Sequence, residues 1–412
     1  MNPEVVNPSS YPQHYPLSND YDLSNIIEQL SVDMTLGFIE NLTSFGPRLT
    51  GTDACELAGH WIYQEFDEMG LDVRYHNWSR SSSTFGSNIE ATLPGVNPQN
   101  DDIFVICGHY DSVYSSPGAD DNGAGTAAVL AAAKILSQYT FESTIRFVTF
   151  SGEEQGLHGS YYYAQEAYDN EDNIVAVLNA DMMGYASNPE SESKVVVYDN
   201  EPSSWIRFLS EDISIEYQDL CNLEIVHGGY SGRSDHASFH MFGFEAIFYF
   251  EYEVNPNYHT RYDVIETMNP SYASNVSRLM LATLADLSGF VPQLPPEIPE
   301  RPKGRMNGKS GTEYTYESKT IDPNADELYY QWSWGDGSTS EWIGPLDSNT
   351  LCSVSHSWNE NGEYEVKVRA KDSFNSETEW SEPLTVSMPK NQFVGFLKFL
   401  IDRIPLFQQL FD

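Results

Sequence analysis

Basic residues are scarce in this sequence: 21 Lys plus Arg stand against 61 Asp plus Glu, a formal net charge of −40 over 412 residues. That excludes nucleic-acid binding, which needs a basic footprint. It suits a soluble protein in a salty or extracellular setting, and it attracts cations, including metals and free amines. Cysteine is scarce too. Cys55, Cys107, Cys221 and Cys352 are scattered, with no Cys-x-x-Cys pair, so neither a thiolate zinc site nor a thioredoxin-like motif is supported. Cys107, inside IFVICGHYD, reads as a small buried hydrophobe; one disulfide stays open, with no assignable pairing. No apolar run approaches the roughly 18 residues that span a bilayer. The opening MNPEVVNPSSYPQHYPLSND is polar and proline-rich, without a secretory pattern. Sequons at Asn41, Asn77 and Asn275 are weak signals.

What is present is alternation. The segments 103–110, 144–150, 174–184 and 245–253 read as strands, and 123–139, 160–168 and 270–290 as helices. Strands alternating with helices imply an α/β fold, a mostly parallel mixed sheet sandwiched by helices. Ligands in such folds bind beyond the carboxyl ends of the strands.

At 291–310 the composition shifts to proline, VPQLPPEIPERPKG, and reads as an extended linker. Beyond it the helical signal disappears. Residues 311–388 alternate in period two around Gly-Asp-Gly and Asn-Gly turns, the pattern of a small Ig-like β-sandwich. The expected organisation is a flexible segment 1–22, a catalytic domain 23–290, the linker, the sandwich, and a tail 389–412. In the tail, Phe393, Phe396, Leu397, Leu400, Ile401 and Ile404 share one helix face. Its length and charge do not suit a membrane span; self-association or surface attachment is expected of it.

The pair Glu153–Glu154, in FSGEEQGLHGS, raises a physical question. Two carboxylates at the end of a buried strand repel, and burying both is expensive unless a cation sits there. Other strand ends carry related groups: His109 and Asp111 in GHYDS, Asp120 and Asp121 in GADDNGAG, Asp181 in LNADMMG and His259 in NYHTRYDV. Singly, each has a bland reading; Asp120, Asp121 or Asn122 could simply cap the next helix. Together, two histidines and several carboxylates at successive strand ends point to metal, and the mixed N/O donors and their number suit two zinc ions.

The ordered set HYDS, GADDNGAG, SGEEQG, NADMMG and YHT, with the earlier SFGPRLTGT, resembles the co-catalytic zinc aminopeptidases, relatives of glutamate carboxypeptidase and glutaminyl cyclase, over most of residues 40–290. The GDGST turn and HSWNENGEYEVKVRAKD resemble a PKD-type domain, in which Asp336 and His356 have structural roles. The first resemblance implies the zinc exopeptidase fold, with His109 and Asp181 on one zinc, Glu154 and His259 on the other, and Asp121 bridging. Asp111 would accept a hydrogen bond from the far nitrogen of His109. Glu153 would be the general base for a hydroxide held between the zinc ions, returning the proton to the departing amine. Tyr258 and Tyr230 are candidates for oxyanion stabilisation, Arg233 for substrate contact, and Ser234 for support of a metal-ligating aspartate.

The implied activity is removal of the amino-terminal residue, of apolar preference, from peptides with a free amino terminus. A glutamate-carboxypeptidase-like enzyme is the alternative within the same chemistry, but it needs arginines for a terminal carboxylate, and Arg207, Arg233 and Arg261 are thin support. A glutaminyl cyclase fits the GEEQG block less well. A non-catalytic surface-binding scaffold is the alternative of another class; degenerate scaffolds lose a ligand or the base, and all six positions are filled here. The PKD-type domain and acidity favour an extracellular or cell-surface location.

Overall fold

The computed structural model describes residues 22–292 and 294–388; the expectations for residues 1–21 and for the tail fall outside them. The chain divides after Pro292 into two compact units.

The first unit is built on nine short and long strands followed by a tenth: β1 (Asp72–Ser81), β2 (Thr84–Leu93), β3 (Ile103–His109), β4 (Thr140–Phe141), β5 (Thr144–Phe150), β6 (Ile174–Ala180), β7 (Lys194–Tyr198), β8 (Glu224–Gly229), β9 (Ala246–Glu251) and β10 (Phe290–Val291). Eight form one sheet in the order β1-β2-β5-β3-β6-β9-β7-β8, while β4 pairs with β10. The central strands β5, β3, β6 and β9 run parallel. β2 joins β5, and β7 joins β9, antiparallel. Every residue of β3 is buried, as a strand covered on both faces requires. Fully burying a side chain such as Phe104 or Ile106 contributes about 1.5–3 kcal/mol.

Register brings the strand ends to one edge. His109 pairs with Phe150, Cys107 with Asn179, and Ala180 with Tyr249. Residues just past His109, Phe150, Ala180 and Glu251 therefore share the same rim. β6 stops at Ala180, short of the expected 184. The apolar Met182–Met183 prolong the hydrophobic run, but Met182 adopts φ +51° and turns the chain away.

The helices are α1 (Ser24–Ile27), α2 (Val32–Ser44), α3 (Asp53–Glu68), α4 (Gly125–Leu136), α5 (His158–Asp169), α6 (Ser204–Glu216), α7 (Gln218–Cys221), α8 (His236–Met241) and α9 (Pro270–Leu287). Local chemistry sets their starts: Ser31 Oγ accepts from Met34 N at 3.1 Å, and Asn269 Oδ1 from Tyr272 N at 3.1 Å, with Pro270 in the first turn of α9. α4 begins at a glycine for steric reasons. A Cβ on Gly125 would lie 2.3 Å from Asn122 Oδ1 and 2.4 Å from the Ala180 carbonyl oxygen. All four cysteines are buried and free, so the disulfide left open by the sequence is not formed.

The second unit is a β-sandwich of β11 (Lys303–Gly304), β12 (Glu313–Ser318), β13 (Leu328–Ser333), β14 (Ile343–Leu346), β15 (Cys352–Ser357), β16 (Gly362–Lys371) and β17 (Leu384–Met388). Its sheets are β11-β12-β15 and β14-β13-β16-β17. Alternate residues of β13 are buried, and Trp332, Trp358, Tyr316 and Tyr330 fill the core. Part of the proline-rich stretch read as linker is tied to this unit: Glu297 N and Glu300 N donate to the Ile321 and Lys319 carbonyls, each at 2.9 Å. Asp336 and His356 meet at 2.9 Å, and the His356 ring stacks on Trp334, a contact within the sandwich's own fabric.

Candidate metal and catalytic site

His109 closes β3, its carbonyl held by Thr126 Oγ1 at 2.8 Å. Its Nε2 lies 3.3 Å from Asp181 Oδ1 and 3.4 Å from Asp121 Oδ1. Its Nδ1 lies 3.1 Å from the carbonyl oxygen of Asp111 and 3.5 Å from Asp111 Oδ1. Asp111 thus faces the far nitrogen, although the shorter contact is to its main chain. Either acceptor fixes the tautomer that leaves the Nε2 lone pair toward the acids. Asp111 is itself held: Thr50 Oγ1 donates to its Oδ2 at 3.0 Å while accepting from Gly152 N at 2.7 Å.

Asp121 sits on an irregular turn between β3 and α4. Gly118, in the left-handed region at φ +62°, opens that turn. The two acids of GADD part company there. Asp120 turns inward, accepting from Gly184 N at 2.7 Å and Asn255 Nδ2 at 2.8 Å. Asn122 supplies the helix cap, its Oδ1 accepting from Gly125 N at 2.9 Å. Asp121 is left facing the rim. Glu154 Oε1 accepts from Val113 N at 3.1 Å, and its Oε2 lies 3.0 Å from His259 Nε2. That Nε2 is also 3.1 Å from Asp121 Oδ2.

Two groups of potential metal donors result, His109–Asp121–Asp181 and Asp121–Glu154–His259, the donor atoms of each lying within 4.8 Å of one another. Asp121 belongs to both. Neither Asp121 Oδ2 nor His259 Nε2 has a well-formed hydrogen bond, although both are buried. The titration behaviour agrees. Burial, then repulsion from Asp121, pushes Glu154 up to about 8. Burial raises Asp121 as well. Burial would lower His109, but Asp181 and Glu153 hold it well above the usual range. His259 is raised by its contact with Asp121 and by Glu154, against burial. Every one of these groups is biased toward taking up positive charge. Imidazole and carboxylate donors in this arrangement suit zinc.

Glu153 is outside both donor groups. Its side chain, 12% exposed, approaches His109 Nε2 only to 4.0 Å. Burial lifts its carboxyl well above the usual range, with Asp181, Asp235 and Asp111 adding repulsion and His109 opposing. It lines a cavity with Asp121, Glu154 and Asp181, together with the apolar Met182, Phe248, Phe250 and Val254. Arg233 and Tyr258 also line this cavity. The Tyr258 ring stacks on His259 at 3.8 Å, and burial with the nearby acids raises its phenol. Tyr230 is placed differently: it is 71% exposed, rests against His240, and is not part of the cavity wall. Ser234 is buried, its Oγ accepting from Asn179 Nδ2 at 2.7 Å, so its partner lies on the strand leading to Asp181.

Sequence reasoning missed the groups that hold this rim in place. Asp263 accepts from Asp120 N at 2.9 Å and Asp121 N at 3.1 Å, fixing the turn; its place in NYHTRYDV was the available signal. Arg48 is buried and clamps the β3 exit, donating to the carbonyls of Tyr110 at 2.7 Å and Gly118 at 2.9 Å. Asp235, beside Ser234, is buried, and burial pushes it up to about 7.

Residues 88–284 match Peptidase family M28 and residues 295–388 match the PKD domain. A probable leucine aminopeptidase of Arthroderma otae is 28% identical over 300 residues, 67% of this chain and 78% of that protein. Aminopeptidase YwaD of Bacillus subtilis is 33% identical over 203 residues, 48% of this chain and 44% of that protein. The solved structure of BSAP, a zinc aminopeptidase from Bacillus subtilis, superposes with a TM-score of 0.58 at 19% identity, covering 63% of this chain and 96% of that one, which establishes a shared fold. Residues 88–284 thus form a domain of the M28 kind, hydrolases of peptide bonds, and residues 295–388 a C-terminal PKD domain.

Proposed function

We propose that this M28 enzyme is a zinc aminopeptidase, removing an apolar residue from the free amino terminus of peptides with two zinc ions per chain. The observation that carries the reading is Asp121, shared between two donor groups, with the unligated Glu153 beside them. His109 and Asp181 would hold one ion, Glu154 and His259 the other. When bound, the zinc ions supply Lewis-acid polarisation of the scissile carbonyl and lower the pKa of water.

The chain's own residues do the rest. Glu153 takes the proton of the attacking water and delivers it to the departing amine. Its raised proton affinity in this buried setting suits a group that must hold a proton transiently. Tyr258, on the cavity wall, donates its hydroxyl to the developing oxyanion. Met182, Phe248, Phe250 and Val254 form the apolar wall that would receive the first side chain, in keeping with relatives named leucine aminopeptidases. The surrounding carboxylates favour the free ammonium. The strong acidity and the PKD domain support a place outside the cell or on its surface.

Carboxypeptidase action is less well supported. Arg207 is buried and held by Asp199 and Glu211, and Arg261 packs on Tyr262. Arg233 alone of the three lines the cavity. The test is a hexapeptide beginning with leucine, supplied either C-terminally amidated or N-terminally acetylated. Stepwise loss of residues from the amidated peptide alone is expected. Digestion of the acetylated peptide alone, from its carboxyl end, would overturn the assignment.

A further inference from the structure

The second unit holds a concentration of negative charge that the peptidase reaction does not use. Asp322 and Asp326 lie on the connection entering β13, and Asp372 directly follows β16. Those strands pair antiparallel, Tyr329 opposite Lys371, so the start of one and the end of the other meet at the same edge. One carboxylate oxygen from each aspartate lies within 4.8 Å of the other two.

The loops are built around these acids. Asp322 Oδ1 accepts from Asn324 N at 2.8 Å and Asp326 N at 3.1 Å; Asp372 Oδ1 accepts from Ser376 N at 2.8 Å. One oxygen of Asp322 and one of Asp372 are thereby committed to their own loops. The Oδ2 atoms of Asp322, Asp326 and Asp372 are all buried and without a hydrogen-bond partner. Asp322 is 2% exposed and Asp372 1%. Buried, unpaired carboxylates so close together are strongly unfavourable unless a cation neutralises them. The raised pKa of Asp326, from burial and then from Asp322 and Asp372, reflects the same uncompensated charge.

We propose that Asp322, Asp326 and Asp372 form a calcium site that ties the entry of β13 to the exit of β16. The donors are hard oxygens with no nitrogen or sulfur, which selects against zinc. Three carboxylates leave room for the carbonyl and water ligands that complete a six- to eight-fold calcium shell. Magnesium, which demands tight octahedral geometry and holds its waters, fits such a flexible loop pair less well. Calcium here serves the folding of the β-sandwich, not the peptidase chemistry.

The test is thermal unfolding of the full-length, zinc-loaded protein in calcium-free buffer, with added CaCl2 or, separately, MgCl2 at the same concentration. Millimolar calcium should raise the midpoint of one transition by about 5 °C or more, as expected for a ligand that binds only the folded state. Asp326→Asn should lose most of that rise. In calcium-free buffer the variant should be at least as stable as the parent, because one of three repelling charges is gone. A carboxylate needed only for loop hydrogen bonds would instead lower stability in both buffers, overturning the proposal. So would a calcium-independent parent, an undiminished response in the variant, or an equal response to magnesium. Equilibrium dialysis of the parent with radioactive calcium reads the same site without any variant: saturable uptake of one ion per chain, not displaced by equal magnesium, is expected, and its absence contradicts the proposal.

Discussion

Glu153 and Glu154 are adjacent in sequence and unlike in environment. Glu154 is fixed between Val113 N and His259; Glu153 stands apart from both donor groups. The division predicts opposite outcomes for the same substitution. Glu153→Gln should lower kcat by about 10²–10⁴-fold while zinc content stays at the parental level, whereas Glu154→Gln should lose zinc. Metal analysis beside steady-state kinetics checks this; zinc loss from Glu153→Gln would reverse the roles. The two tyrosines separate similarly. Tyr258→Phe should lower kcat by about 10²-fold, and Tyr230→Phe, at an exposed position off the cavity, should leave it unchanged. A reduced kcat in Tyr230→Phe alone would move the oxyanion role to that residue. At this scale His109, Glu153, Glu154 and Asp181 stand out in the sequence because they fall at or just past strand ends, where side-chain chemistry is exposed to a ligand, and Asp121 and His259 because they lie on the connections that follow β3 and β9. Thr50 and Arg48 do not: Arg48 acts on main-chain carbonyls and Thr50 on the Asp111 carboxylate and the Gly152 amide, partners far away in sequence, and for Asp263 the one signal was its place in NYHTRYDV.

At the scale of elements, the turn between β3 and α4 is where the chain invests most of its precision. Asp263 holds the Asp120 and Asp121 amides, Asn122 caps α4, and Gly125 admits the close approach of Asn122 and β6. Asp263→Asn replaces one of two acceptor oxygens by a donor and should loosen Asp121 without emptying the core. Zinc affinity should fall about 10–100-fold, as for other residues that orient metal ligands. Competition with a chromophoric chelator measures it, and parental affinity in a folded variant would deny Asp263 a positioning role. The central strands were readable from sequence because burial on both faces gives unbroken apolar runs, as in IFVICGH. β1 and β8 were not: DVRYHNWSRS and EIVHGG lie at the two ends of the sheet and are mostly exposed or half-buried, so no hydrophobic pattern marks them. Sheet order, with β5 between β2 and β3, is a tertiary choice that local pattern does not encode.

For the molecule as a whole, a net charge of −40 is a standing source of self-repulsion. Added NaCl should therefore raise the thermal midpoint between about 0.01 and 0.5 M, as the Debye length shortens from roughly 30 Å to a few ångströms. Scanning calorimetry at constant pH checks it; a falling midpoint would mean that favourable ion pairs outweigh the repulsion. The same field, focused by the carboxylates of the cavity, favours a free ammonium in the proposed reaction. The most direct test is hydrolysis of a leucine chromogenic amide and of its N-acetylated twin, each before and after removal and restoration of zinc. Turnover of the free-amine substrate only is expected, lost on chelation and regained with zinc. Equal turnover of both substrates, or turnover indifferent to chelation, would contradict it.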